Sequence, residues 1–101
     1  MKMLMIVYRS SLKERVDELL QNCDVYAYTE IPETVGLGET GPAEGSSIWP
    51  GVNSVIMVAL MDDHAERVSK AVKMYVDEIE KHKDWAKPPI HVFAWSCAQM
   101  V

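Results

Sequence analysis

Lysine and arginine are missing from a long central stretch of the chain. None occurs between Arg15 and Arg67, whereas ten of the fifteen acidic residues fall there. A cation that meets this stretch must therefore come from another part of the molecule. The formal net charge of −5 disfavours nucleic acid and anionic membrane surfaces as partners of the whole protein.

Cysteine, glycine and long apolar runs are also scarce. Two cysteines, Cys23 and Cys97, cannot build a disulfide framework, so we expect free thiols. All five glycines lie within residues 36–51. The opening run MKMLMIVY ends at Arg9 and is too short for a signal peptide or a membrane span. These features predict a cytoplasmic protein, and 101 residues are most economically one domain.

The hydrophobic pattern predicts four strands and two helices. Ser11 to Glu14 has the spacing of a capping box, and the apolar residues of both helical segments recur at helical intervals. In chain order, we expect a strand over 1–8, a helix from Ser11 to Asn22, strands over 24–35 and 52–60, a helix from Asp63 to Lys81, and a strand over 90–95.

The order β-α-β-β-α-β predicts a ferredoxin-like α+β fold, with a four-stranded antiparallel sheet and both helices on one face. Two helices can cover only one side of that sheet. The strands MLMIVY, VIMVAL and IHVFAW are nevertheless apolar on both faces, unlike a strand with one solvated face. The pattern therefore predicts that other copies of the chain cover the second face.

Residues 36–51, GLGETGPAEGSSIWPG, open with a match to G-x-G-x-x-G at Gly36, Gly38 and Gly41. A dinucleotide site needs a helix directly after these glycines. Pro42 and Pro50 exclude that helix. The glycines fit either a backbone anion nest or a hinge where a hairpin leaves the sheet.

The element order, the long connection between the second and third strands, and the string Glu33-Thr-Val-Gly-Leu-Gly38 resemble PII nitrogen-regulatory proteins and their PII-like relatives. In that family a similar E-x-x-G-F-G segment leads into the T-loop. The resemblance implies a single PII-like domain over 1–101, with a T-loop-like segment at 36–51. It further implies a homotrimer with ligand sites in the clefts between subunits.

The resemblance also implies where a ligand and a partner bind. In PII the clefts bind adenine nucleotides, and the T-loop engages transporters or enzymes. Here the connector between the second helix and the last strand lacks the PII glycines but keeps lysines. The ligand-binding residues implied in this way, together with the connector lysines, are Gly36, Leu37, Gly38, Glu39, Thr40, Lys81 and Lys87. The loop residues expected to contact a partner protein are Glu44, Ile48 and Trp49.

Two other classes of function stay open at this point. CutA-type proteins are trimers of the same fold and are associated with divalent metals, so an acidic loop assembled across subunits is an alternative metal site. A third reading is an interaction protein that binds no small ligand. Catalysis has no local signature such as a Ser-His-Asp or Cys-His arrangement, so we expect a protein that is not an enzyme.

Overall fold

The structure, a computed structural model, describes residues 1–36, 51–81 and 90–101. Four strands and two helices follow one another in the predicted β-α-β-β-α-β order. They are β1 (Lys2–Arg9), α1 (Lys13–Asn22), β2 (Thr29–Gly36), β3 (Gly51–Leu60), α2 (Asp62–Glu80) and β4 (Ile90–Ser96). The predicted connector from Lys83 to Pro89 lies outside the described residues.

The four strands form one antiparallel sheet in the order β2-β3-β1-β4. Strand β1 is central because it pairs with β3 on one side and β4 on the other. Its alternate residues Leu4, Ile6 and Tyr8 are at most 1% exposed. They pack with Val16 and Leu20 of α1 and with buried residues of α2 in one core. The predicted ferredoxin-like fold is confirmed.

The second helix follows its predicted apolar stripe closely. Ala65, Val68 and Val72 are buried, and Val76 and Ile79 are half-buried. The helix also begins with the acidic residues Asp62 and Asp63, which suit the positive end of the helix dipole.

The start of α1 differs from the prediction. A 3-10 turn, Ser10–Leu12, precedes the helix, and Leu12 rather than Ser11 occupies the N-cap without a side-chain hydrogen bond. The Lys13 backbone N–H donates to the Ser10 carbonyl, so the tight turn satisfies that amide without a side-chain cap. The predicted capping box is wrong.

The end of α1 explains why the next strand starts later than predicted. The Asp24 N–H donates to the Gln21 carbonyl, and the Val25 N–H donates to the Leu20 carbonyl. With Asp24 at φ 60°, these bonds form a Schellman motif. Residues 24 and 25 therefore belong to the helix end, and β2 begins at Thr29 instead of Asp24.

The sheet face opposite the helices, called the open face here, carries the alternate strand residues that point away from the core. No helix in the described ranges covers it. Ile31, Phe93 and Trp95 on this face are 48%, 47% and 44% exposed. The open face of β1, β3 and β4 comprises Met3, Met5, Val7, Val55, Met57, Ala59, His91, Phe93 and Trp95, with the polar pair Arg9 and Asn53 at one end.

Removing a core side chain from the central strand tests the packing of the helix-covered face. We expect Ile6→Ala to lower the free energy of unfolding by about 2–5 kcal/mol, because the cavity is closed on all sides. Ile6 is 0% exposed. Urea denaturation at fixed protein concentration measures the change.

The matched control is Met74→Ala on α2, where the side chain is 72% exposed. That change should stay within about 0.5 kcal/mol. Equal losses for the two variants would contradict the assignment of Ile6 to the core.

Candidate functional site

One end of the sheet, called the loop end here, contains the C-terminal ends of β1 and β2 and the N-terminal ends of β3 and β4. The register pairs Gly36 with Gly51 and Arg9 with Asn53, while Ile90 begins β4 opposite Tyr8. The connection 37–50 therefore leaves and returns at this end, and the connection 82–89 arrives there.

The two connections reach the loop end on opposite sides of β1. Strands β3, β1 and β4 are consecutive neighbours in the sheet. Since adjacent strands lie about 4.8 Å apart, β3 and β4 are separated by about 10 Å. That spacing suits a small molecule bridging the bases of both connections.

Helix α2 places a lysine side chain at the same end. It starts after β3, runs back along the sheet, and ends at Glu80, so that Lys81 is its C-cap. The Lys81 Nζ lies 3.3 Å from a Glu78 carboxylate oxygen, and the side chains are 71% and 66% exposed. An exposed pair of this kind contributes little to stability, so the ammonium group can exchange Glu78 for another anion.

A β-bulge interrupts β2 just before the loop end. Ile31 pairs with Val55, and Thr34 pairs with Asn53. Strand β2 therefore advances three residues where β3 advances two, which leaves one extra residue in β2. Because one extra residue reverses the facing of every later side chain, the bulge decides which face the base of the 37–50 connection presents.

The residues at the bulge suit its backbone geometry. Pro32 lacks a backbone N–H, which is tolerated at a bulge in an edge strand. Glu33 adopts φ 56°, the left-handed region that is uncommon for residues other than glycine. Beyond the bulge, the Thr34 hydroxyl donates to the Asn53 carbonyl at 3.1 Å and holds β2 onto β3. Pro32 therefore lies inside β2 rather than at its end.

A polar network of five side chains fixes the start of β2 beneath the bulge. The Tyr8 hydroxyl donates to the Glu30 carboxylate, and the Lys13 Nζ lies 3.1 Å from the same carboxylate. Lys13 also contacts Asp17 at 3.2 Å, and the Tyr28 hydroxyl donates to Asp17 at 2.8 Å. The polar network ties β1, α1 and β2 together.

The contacts within the network explain why the pKa values of three of its members are raised. Burial and then the hydrogen bond to Glu30 raise the pKa of Tyr8 well above its ordinary value. Burial and then the bond to Asp17 raise the pKa of Tyr28. The bonds to Glu30 and Asp17 raise the pKa of Lys13. Both phenols therefore stay neutral donors at physiological pH.

Two polar residues at the start of β3 are buried. Asn53 and Ser54 are each 3% exposed, although they lie on opposite faces of the strand. The hydroxyls of Ser54 and Ser10 share a hydrogen bond of 2.8 Å, which joins β3 to the turn after β1. Ser54 therefore supports the loop end from the helix-covered face.

Of the residues predicted to bind ligand or partner, Gly36 and Lys81 lie in the described ranges. The structure places Gly36 in the last pair of the β2-β3 ladder and Lys81 at the end of α2. The others lie outside the described residues: Leu37, Gly38, Glu39, Thr40, Glu44, Ile48, Trp49 and Lys87. Gly36 and Gly51 pair at the two ends of the 36–51 segment, and its T-loop-like character stays a prediction.

The described ranges contain neither a metal-ligand group nor a membrane-spanning helix. No three His, Cys, Asp or Glu side chains there gather into a metal-ligand group. None of the helices described is long and apolar enough to cross a membrane. Cys23 and Cys97 are free thiols, as expected.

Comparison with known proteins gives one consistent result at the level of structure. No family model matches the sequence, and no curated protein is significantly similar to it. Among solved structures, CPII from Thiomonas intermedia K12, a nitrogen regulatory PII-like protein bound to ADP, AMP and bicarbonate, has a TM-score of 0.63 and 16% identity. The match covers 99% of this chain and 94% of CPII.

Two further solved structures agree. The apo form of CPII has a TM-score of 0.61 and 15% identity over 93% of this chain and 87% of CPII. A Thermus thermophilus protein described as PII-like signalling has a TM-score of 0.59 and 21% identity, over 93% of this chain and 82% of that chain. The chain has the PII-like fold, and the resemblance inferred from the sequence is confirmed at that level.

The shifted tyrosine gives the polar network a direct test. In the folded protein, Tyr8 should stay protonated when the pH passes the ordinary phenol pKa of about 10. The alkaline absorbance titrations of folded wild type and folded Tyr8→Phe should then coincide up to about pH 11. In concentrated urea, wild type should titrate one more tyrosine than the variant.

The linkage to stability has a defined sign. Because the folded-state pKa is raised, the stabilisation is fully present below the unfolded pKa of about 10 and is lost as the pH rises above it. The free energy of unfolding of wild type should therefore fall more steeply above that pH than that of Tyr8→Phe. A folded wild type that titrates one more tyrosine than the folded variant near pH 10 would show that the phenol is not held by Glu30.

Proposed function

We propose that this protein is a PII-like sensor: a homotrimer that binds an adenine nucleotide in the clefts between subunits and signals to a partner protein through residues 36–51. The observation that carries the proposal is the loop end. It brings the base of the 37–50 connection, the end of the 82–89 connection and the Lys81 cation to one end of a PII-like sheet. CPII, which shares this fold, is described bound to ADP and AMP.

The charge distribution supports a nucleotide held by two parts of the molecule. The 36–51 segment carries Glu39 and Glu44 and no cation, so it does not neutralise phosphates by itself. Lys81, Lys83 and Lys87 lie at or in the other connection. Anionic groups of the ligand would meet these lysines, and its remaining parts would lie against the base residues Gly36 to Thr40.

Signalling then follows from differential affinity. A ligand shifts the 36–51 segment between two arrangements only by the difference in its affinity for them. The polar network and the β2-β3 pairs anchor β2 to its neighbours, so a change in the segment would begin at its base. Glu44, Ile48 and Trp49 would form the contact with a partner protein, for which a membrane transporter is the candidate that the PII resemblance suggests.

Assembly of copies through the open face supports the same proposal. Apart from His91 and Arg9, which lies at one end of β1, none of the open-face residues of β1, β3 and β4 is ionisable. The outward surfaces of both helices carry ion pairs such as Arg15–Glu18 and Lys70–Glu66. The open face of another copy is therefore the part of the described surface whose chemistry matches this face.

Nucleotide binding is tested by calorimetry with ATP, ADP, AMP and cyclic nucleotides. We expect an adenine nucleotide to bind wild type and to bind Lys81→Ala and Lys87→Ala about tenfold more weakly, which corresponds to about 1.4 kcal/mol for each lost contact to an anion. Lys70→Ala is the matched control, because Lys70 is paired with Glu66 on the same helix, about three turns from its end.

The metal-binding alternative is decided in the same experiment. Copper and zinc are titrated beside the nucleotides, with the melting temperature as a second readout. Stabilisation by either ion, with no response to any nucleotide, would contradict the sensor proposal and support a CutA-like metal-binding protein. A protein that assembles but responds to neither would be an interaction protein.

Assembly through the open face is tested by sedimentation velocity. We expect wild type to be a trimer at micromolar concentration and Phe93→Asp to be a folded monomer, because a buried unpaired carboxylate is strongly unfavourable in an apolar interface. Phe93 is 47% exposed in the single chain, so the monomer should tolerate the change.

The matched control places the same charge on the helix layer. Met74 is 72% exposed on α2, and Met74→Asp should leave the trimer intact. A wild-type monomer, or a Phe93→Asp trimer, would remove the open face as the site of assembly.

A further inference from the structure

The open face contains one polar atom that the single chain leaves unsatisfied. In the described part of the chain, the His91 Nε2 is the one buried side-chain nitrogen or oxygen without a hydrogen-bond partner. Buried polar atoms in folded proteins nearly always have a partner. The imidazole therefore stands out among the apolar side chains that surround it on the open face.

The immediate neighbours of His91 are apolar. In the sheet register it faces Val7 of β1, and its ring stacks on Phe93 with 6.2 Å between ring centroids and 27° between planes. Stacking and apolar packing suit a neutral imidazole. They offer no acceptor to an imidazolium, which needs one for each of its two N–H groups.

The charged groups beside His91 are cations. Arg9 lies on the same face of β1, two residues beyond Val7, at the diagonal position about 7–8 Å away. Lys73 of α2 lines the groove along the outer edge of β4 together with His91. No carboxylate lines that groove among the described residues. A proton on His91 would therefore add a third positive charge to this region.

We propose that His91 makes the association of copies through the open face sensitive to pH, with the trimer held together by the neutral imidazole and weakened by its protonation. This inference rests on the assembly given above as part of the proposed function. Covering the open face with another copy removes water from His91. Desolvation disfavours the charged form of a histidine, so association and protonation oppose each other.

The direction of the effect separates it from general electrostatics. The chain carries a formal net charge of −5 at pH 7. Acidification reduces this charge, and with it the repulsion between copies, so net charge alone predicts tighter association at lower pH. His91 predicts weaker association over the same interval. The sign of the pH response therefore distinguishes the two.

The experiment is sedimentation velocity as a function of concentration at about pH 8 and about pH 5.5, the interval in which histidine is the ordinary side chain that changes charge. For wild type we expect the association to weaken at least about tenfold at the lower pH. His91→Phe keeps the stacking and the volume but carries no proton, and its association should be unchanged or tighter at the lower pH. His91→Gln, polar but uncharged, provides a second variant without the titration.

The other two histidines supply the matched controls. The His64 ring nitrogen Nε2 is hydrogen-bonded to the Cys23 carbonyl, at the start of α2 and away from the open face. His64→Gln and His82→Gln should each keep the full pH response of wild type. Loss of the response in either control would move the effect away from His91.

The outcomes separate this inference from the assembly on which it rests. A wild type that is trimeric with the same affinity at both pH values, or a His91→Phe trimer that still weakens on acidification, would overturn the role of His91 and leave the assembly standing. A wild type that is monomeric at both pH values would overturn both.

Discussion

Two amphipathic helices can cover only one face of a four-stranded sheet, and this constraint governs the rest of the molecule. The covered face supplies the core, in which Leu4, Ile6 and Ile56 are fully buried. The other face is just as apolar along β1, β3 and β4. A single chain therefore buries the apolar sides of its helices and one face of its sheet. The remaining face determines how copies of the chain can associate.

The same topology creates the candidate site. Antiparallel pairing in the order β2-β3-β1-β4 sends both long connections to one end of the sheet, with β1 between their bases. The contacts that anchor β2 lie at this end and just before it. Tyr8, Glu30 and Lys13 hold the start of β2, and the Thr34 hydroxyl holds its last residues to β3. An anchored base beneath a long connection suits a segment whose order changes when a ligand binds.

His91 lies where the open face meets the loop end. It lies one strand away from the central β1, near the loop end, yet it belongs to the open face. Its neighbours are apolar or cationic, so its charge state bears on association rather than on ligand chemistry. The polar network on the other face differs from His91, because its carboxylates are already paired with Lys13 and two tyrosine hydroxyls.

The sequence by itself determined the element order, the apolar stripe of α2 and the two-sided strands, because these depend on local periodicity. The acidic character of 36–51 and its glycines at positions 36 and 38 are equally local. It misplaced the starts of α1 and β2, since the Ser10 hydroxyl bonds to that of Ser54, and the Asp24 and Val25 N–H groups bond back to Gln21 and Leu20 in a Schellman motif. Only the tertiary structure decided the bulge at Pro32–Glu33, the polar network and the unpartnered His91 nitrogen. Each depends on residues far apart in the chain, whose meeting no spacing along the sequence can specify.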